Sequence, residues 1–273
     1  MRVALIRDVF HTDTSPDRLT ETLAQAKEGG AVLACLPELP LNRWAPATKN
    51  AVDTDAEPPN GPRAQLQAMA AREAGIALIG GSLIADATTE ARHNTALLFG
   101  ADGSLIGTYE KLHIPEEPGF WESSHYEPGT FPPPVFGGEG EAGLPMPFGI
   151  QICSDNNRPV GAQMLRARGA DAIFVPRATT ITYLDQWLTV FRANAMTTGC
   201  YVLSCNRPAP EGGVALAGPS IVVDPFGKVI VQTDDRIAFA DLDSAVVKEA
   251  RVDYPGYLAL RPDMYAEAFG ELA

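Results

Sequence analysis

A cysteine, a glutamate and a lysine stand out in this chain for the chemistry they could do together. Cys153 lies in the stretch from Phe148 to Pro159, FGIQICSDNNRP, where a short apolar strand gives way to an acid, two asparagines and a proline able to open a helix. A thiol at such a junction is held out of the sheet with its sulfur accessible. The backbone N–H groups of the turn then face an approaching carbonyl, which suits nucleophilic attack on a carbonyl-like carbon. A thiol is mostly protonated at neutral pH, so it needs a base or a positive field. Of the four histidines, His11, His93, His113 and His125, only His113 falls in a comparable segment. A glutamate beside a lysine can do the same work. The carboxylate takes the thiol proton and returns it to the leaving amine, while the ammonium balances charge and donates to the developing oxyanion. Glu38 follows the apolar run Ala31 to Leu36, and Lys111 follows Ser104 to Tyr109. Each therefore sits at or just past a strand end, the edge where open α/β folds place their sites.

Taken singly, each residue has a simpler reading. Cys153 could be a buried apolar thiol, Glu38 a solvated loop acid, and Lys111 a surface lysine paired with Glu110. Their joint placement at three strand ends is harder to explain that way, though it does not by itself name a reaction.

The elements that must position the three alternate along the chain. Val3 to Ile6 reads as a strand. Ser15-Pro16 then offers a cap and a first helical position, ahead of Leu19, Leu23 and Ala26 at helical spacing and a stop at Gly29-Gly30. Pro62 opens a second helix carrying Leu66, Met69 and Ala70, closed near Gly75, and Ile76 to Ile79 is the next strand. Asn94 to Phe99 and Ser104 to Tyr109 flank a hairpin turn. Ile114 to Pro145, rich in proline, glycine and glutamate, is long for a structureless loop; its Phe120, Trp121 and Tyr126 predict a packed loop lining the site. A helix from Pro159 to Ala167, a strand from Ala172 to Val175 and a helix from Leu184 to Thr198 follow. The stripe Leu184, Trp187, Leu188, Phe191 and Ala195 on the last of these is core packing. Strands at Tyr201 to Cys205, Ser220 to Val223, Val229 to Gln232 and Ile237 to Leu242 complete a mixed sheet region, and the tail after Arg251 has no strong period. No linker divides residues 1–273, which predicts a single α/β domain.

Composition narrows the partners. At 273 residues, 45% hydrophobic and 20% charged, the chain can bury a sizeable core. A net charge of −13 repels nucleic acid and anionic membranes and mildly favours neutral or cationic ligands. Cys35, Cys153, Cys200 and Cys205 form no CxxC pair and have no histidine at metal-ligand spacing, so neither a metal site nor a disulfide framework is expected. The N-terminus lacks the apolar core of a signal peptide, and no apolar run approaches the roughly 20 residues that span a bilayer. A cytoplasmic location is expected.

The segments LPELPLNRW, YEKLHIPEEPGFWE and GIQICSDNNRP resemble the three signature regions of the nitrilase superfamily of carbon–nitrogen hydrolases, whose glutamate, lysine and cysteine match Glu38, Lys111 and Cys153. The similarity covers nearly the whole chain, through GGSL at Gly80, Asn94-Thr95, the Gly218 region, Asp224-Pro225-Phe226-Gly227 and ADLD near Asp241. It implies a four-layer α-β-β-α sandwich with two mixed sheets, assembled into homodimers or larger homo-oligomers. It also implies thiol attack on an amide, carbamoyl or nitrile carbon, an acyl-enzyme, and hydrolysis without metal or cofactor. Glu122, in GFWESSHY, matches a second glutamate that supports the lysine, whereas Glu116 and Glu117 read as ordinary loop acids. The backbone N–H of Ser154 would join Lys111 in holding the oxyanion.

Within the superfamily, HIPEEPGFWESSHYEPG and the terminal LRPDMY look most like N-carbamoylputrescine amidases and their N-carbamoyl-amino-acid relatives. Trp121, Asn156, Arg158 and Arg177 are the further substrate-binding candidates. Arg158-Pro159-Val160 departs from the family's aromatic–proline–glutamate, and Arg158 or Arg177 could grip a substrate carboxylate by a two-pronged hydrogen bond or form a structural salt bridge. The expected function is a cysteine hydrolase of a small linear amide or N-carbamoyl compound. A nitrilase attacking C≡N, an acyltransferase and a non-catalytic ligand-binding homologue are the other readings.

Overall fold

The computed structural model describes residues 1–11, 17–138 and 143–271. The cap expected at Ser15-Pro16 and part of the Ile114 to Pro145 loop, residues 139–142, lie outside the described residues.

Two six-stranded mixed sheets organise the chain. The first runs β14 (Ile237–Asp241), β1 (Arg2–Ile6), β2 (Leu33–Cys35), β3 (Ala77–Ala85), β4 (Arg92–Phe99) and β5 (Leu105–Glu110). The second runs β13 (Val229–Thr233), β12 (Ser220–Val223), β11 (Tyr201–Asn206), β10 (Ala172–Arg177), β9 (Phe148–Ile150) and β8 (Val135–Phe136). In each, three central parallel strands are flanked by antiparallel strands.

Strand alternation explains the layering. Val3 and Leu5 of β1, Leu33 and Cys35 of β2, and Ala96 and Leu98 of β4 face the second sheet. Ala4, Ile6, Ala34, Leu97 and Phe99 face the opposite way, onto α1 (Asp17–Glu28) and α2 (Pro62–Ala74). Strands buried on both faces read as continuous apolar runs, as these do. Helices α3 (Pro159–Ala167) and α4 (Leu184–Thr198) cover the far side of the second sheet through Leu165, Trp187, Phe191 and Ala195. The result is the four-layer α-β-β-α sandwich that the resemblance implied.

Several boundaries differ from the sequence reading, each for a local reason. Strand β3 continues through Gly80-Gly81 to Ala85. A Cβ at Gly80 would lie 1.9 Å from Gln67 Oε1, and one at Gly81 would lie 3.1 Å from the Thr95 carbonyl oxygen, so the glycines admit close neighbours on both faces. On α2 the buried residues are Ala64, Ala70, Ala71 and Gln67, the last of which exchanges hydrogen bonds with Gly81, while Met69 is exposed. A polar residue on the inward face misdirects any assignment by hydropathy. Strand β9 stops at Ile150, so Cys153 opens the next element and does not end the strand. Helix α5 (Ser244–Ala250), capped by the Asp243 carboxylate, precedes the tail, and the tail contains α6 (Pro262–Gly270), which buries none of its side chains. Among the described residues, no helix is long and apolar enough to cross a membrane.

Candidate active site

The two sheets bring the C-terminal ends of β2, β5 and β9 together, and the acid, the lysine and the thiol with them. Lys111, immediately after β5, is fully buried. Its Nζ donates to Glu38 Oε1 at 2.7 Å and to Glu122 Oε2 at 2.5 Å. Glu38 Oε1 also accepts Asn94 Nδ2 at 2.8 Å, and Glu122 Oε2 accepts the Tyr126 hydroxyl. The second oxygens, Glu38 Oε2 and Glu122 Oε1, are buried with no hydrogen-bond partner among the described residues. A buried carboxylate oxygen left unpaired is costly, and such atoms are a reservoir for proton or substrate contacts.

Both turns that carry the reacting groups are strained. Leu39, directly after Glu38, has φ 51°, and Cys153 has φ 47°. A non-glycine residue in the left-handed region costs of order 1–3 kcal/mol and persists where its surroundings over-determine it. Arg207, wholly buried, fixes the first turn by donating to the carbonyl oxygens of Glu38, Leu39 and Asn42. Asp155 fixes the second. Its Oδ1 accepts the N–H groups of Leu112 and His113 and faces His113 Nδ1 at 2.8 Å, while Oδ2 accepts Ile152 N–H and the Tyr109 hydroxyl. The carboxylate thus ties the segment after Lys111 to the turn that bears Cys153, and Ser154 Oγ adds a bond to the His113 carbonyl. Asp155→Asn, which replaces an acceptor by a donor facing donors, is expected to cost about 1–3 kcal/mol of stability and to lower kcat more than it raises KM. Denaturant unfolding and steady-state kinetics check both; an unchanged kcat would contradict a positioning role.

The electrostatics follow from burial. Desolvation opposes the Lys111 charge, but Glu122 and Glu38 outweigh it and hold the ammonium above its ordinary pKa. Burial, with Glu38 second, pushes the Cys153 thiol well up, and Lys111 pulls against them. The resting nucleophile is therefore a thiol that must shed its proton during attack. Burial and Glu38 also raise Glu122 from 4.5 to about 7, against the pull of Lys111. Between those two values the folded protein binds more protons at Glu122 than the unfolded chain does, so this group makes stability fall as pH rises through the window. Thermal midpoints of wild type and Glu122→Gln compared across pH 4.5 to 7 should show the wild type losing ground with rising pH; a constant difference would contradict the raised carboxyl.

A cavity of about 270 Å³ opens onto Cys153, Ser154 and Glu122, walled by Phe120, Tyr183 and Trp187. Cys153 is only 5% exposed, less than the sequence reading expected, and its Sγ lies 3.9 Å from the Ala178 carbonyl oxygen. Ser154, second in the 3-10 turn Cys153–Asn157, has a backbone N–H with no intrahelical acceptor. As expected, the Ile114 to Pro145 loop lines the site, through Pro115, Glu117, Phe120 and Glu122.

The other substrate-binding candidates are placed elsewhere. Trp121 is adjacent to Phe120 on β7 (Phe120–Trp121), and successive strand residues point to opposite faces; Lys49 Nζ sits 4.0 Å over the Trp121 ring. Asn156 is buried and bonded to Gln151 and Asn194. Arg177 is buried with its donors engaged by Ser204 Oγ, Thr179 Oγ1 and the Pro219 carbonyl, so it has no fork to offer a carboxylate. Arg158 and His113 line a different cavity, of about 170 Å³. Residues missed in the sequence include Arg207, Asn94 and Tyr126 in their bonding roles, and Glu117 and Tyr183 on the cavity wall. Among the described residues, no group of three or more His, Cys, Asp or Glu side chains could hold a metal ion.

The family model described as carbon-nitrogen hydrolase matches residues 13–252. A Schizosaccharomyces pombe protein described as a hydrolase is 32% identical over 92% of this chain and 78% of its own. The Saccharomyces cerevisiae protein "Omega-amidase NIT3" is 32% identical over 70% of this chain and 67% of its own. The crystal structure of Saccharomyces cerevisiae Nit3, described as a member of branch 10 of the nitrilase superfamily, superposes with a TM-score of 0.78 at 25% identity, covering 96% of each chain.

Proposed function

Because this chain belongs to the carbon–nitrogen hydrolase family, we propose that it is a cysteine amidohydrolase cleaving the C–N bond of a small linear amide or N-carbamoyl compound. The observation that carries this reading is the buried Glu38–Lys111–Glu122 cluster set beside a thiol on a strained turn. The omega-amidase name of the yeast relative is in keeping with a linear amide.

The chemistry runs on this chain's own groups. Cys153 Sγ attacks the carbonyl carbon as its proton passes to Glu38, whose unpartnered Oε2 is free to take it. The carbonyl π electrons move to oxygen, where Lys111 Nζ and the Ser154 N–H receive the negative charge. Collapse of the tetrahedral adduct breaks the C–N bond, and Glu38 returns the proton to the departing nitrogen. Water then attacks the thioester with Glu38 again as base, and the thiol is restored as the acid leaves. Glu122 holds Lys111 in place through its own hydrogen bond to Nζ.

An ammonia-release screen over primary amides, N-carbamoyl amines, N-carbamoyl amino acids and nitriles tests the proposal. Release from linear amides or carbamoyl compounds is expected. Turnover of nitriles alone, or of none of these classes, would overturn it.

A further inference from the structure

Among the described residues three basic side chains are buried: Lys111, Arg207 and Arg177. Lys111 is bonded to Glu38 and Glu122, and Arg207 is gripped by both oxygens of Glu211. Arg177 makes no ion pair among the described residues. Its guanidinium, on the last residue of β10, donates to three neutral oxygens: Ser204 Oγ at 2.8 Å, Thr179 Oγ1 at 2.6 Å and the Pro219 carbonyl at 2.7 Å. A buried cation without a counter-ion is strongly disfavoured, so it singles out a place where negative charge appears during function. That place is the wall of the Cys153 cavity. The guanidinium carbon lies 5.8 Å from the centre of the Trp187 ring, and Trp187, Thr179, Ala178 and Cys153 line the cavity together. The Cys153 sulfur is 3.9 Å from the carbonyl oxygen of Ala178, the residue after Arg177. Thr179 Oγ1 is taken as an acceptor by Arg177, and its own proton has no acceptor among the described residues.

We infer that Arg177 is a positioning residue for the reaction. It fixes the Thr179 hydroxyl as a donor to the cavity, where that hydroxyl and the charge behind it meet the negative charge developing on Cys153 and on the substrate carbonyl oxygen. This rests on the amidohydrolase reading above and gives it a second cation. Lys111 cannot fill both roles unaided, because its charge is already shared by two carboxylates. Burial draws the Arg177 pKa down to about 10, and the Cys153 thiolate leads the groups that pull it back up. The titratable and charged groups facing Arg177 are Cys153, Cys205 and Arg7. Burial lifts the Cys205 thiol to about 12, so that sulfur is no counter-ion near neutral pH. Those facing Cys153 are Glu38, Lys111 and Glu122.

Two assays test this on wild type, Arg177→Met, Arg177→Lys, Thr179→Val and Ser204→Ala. Alkylation of Cys153 by iodoacetamide, followed by peptide mapping as a function of pH, needs no substrate. Ammonia release from the compound that the screen above ranks first reads turnover. Above the Glu122 step at about 7, Arg177→Met should displace the alkylation profile upward by about one pH unit, or about tenfold slower labelling at fixed pH. Arg177→Lys should restore most of that loss. Thr179→Val should lower kcat about tenfold with little change in KM. Ser204→Ala removes a neutral partner and keeps the charge, so it should lower the thermal midpoint and leave both assays as in wild type. A profile unmoved by Arg177→Met, or moved as far by Ser204→Ala, would overturn the inference, and so would an unchanged kcat in Thr179→Val. If Arg177→Met does not fold, Thr179→Val decides alone. A wild type that releases ammonia from no compound would sink the amidohydrolase reading, while the alkylation profiles would still decide whether Arg177 acts on the thiol.

Discussion

Cys153→Ala should reduce turnover of the preferred amide by about a million-fold, to the residual rate that binding and oxyanion donors alone provide. The fold should survive. The thiol is buried at 5% exposure and its loss removes one sulfur from a packed wall, a cost of about 1 kcal/mol. The turn itself is held by Asp155 and Ser154, neither of which uses the sulfur. Ammonia release paired with a thermal melt therefore separates chemistry from folding. Residual turnover within a hundredfold of wild type would mean that another group attacks the substrate.

Lys111→Met should damage catalysis less than Cys153→Ala does and be much worse for stability. The methionine fills the stem's volume but removes the ammonium from between two carboxylates, with Glu38 Oε1 at 2.7 Å and Glu122 Oε2 at 2.5 Å. Leaving buried charge uncompensated costs about 3–5 kcal/mol, and losing an oxyanion donor lowers kcat by about 100- to 1,000-fold. One carboxyl would then keep a proton, which also weakens Glu38 as base. If the single variant is too unstable to assay, Lys111→Met combined with Glu122→Gln removes one of the orphaned charges. The double variant should melt higher than the single one and remain inactive. Equal melting points would contradict the charge argument, and activity within tenfold of wild type in either would remove Lys111 from the mechanism.

Much of this site was legible in the sequence because strand ends are. Apolar runs stop at Leu36, Tyr109 and Ile152, and the residues just beyond them are the ones the sheets converge on. What could not be read is whatever depends on partners far along the chain. Arg177 looks like a substrate-binding arginine until Ser204 and Pro219, on β11 and ahead of β12, take its donors. Arg207 holds the Glu38 turn from 169 residues away, a pairing that no local pattern announces. Trp121 and Phe120 were indistinguishable as loop aromatics, and the two-residue hairpin with Glu116–Glu117 decides which of them faces the cavity. The same hairpin turns Glu117 from an ordinary loop acid into a charge on the cavity wall. The layer order of the fold came from the resemblance and not from periodicity, because strands buried on both faces carry no polar alternation to say which sheet they join.

The central claim is that the acyl group passes through a thioester on Cys153 with Glu38 relaying the proton. Rapid acid quench of enzyme mixed with an amide substrate, followed by intact-mass and peptide mapping, tests it directly. The predicted result is an adduct equal to the substrate less ammonia, located on Cys153. It should form far more slowly in Glu38→Gln, which lacks the base for thiol attack, and be absent from Cys153→Ala. Full turnover with no adduct at any quench time, or an adduct on any other side chain, would contradict the account.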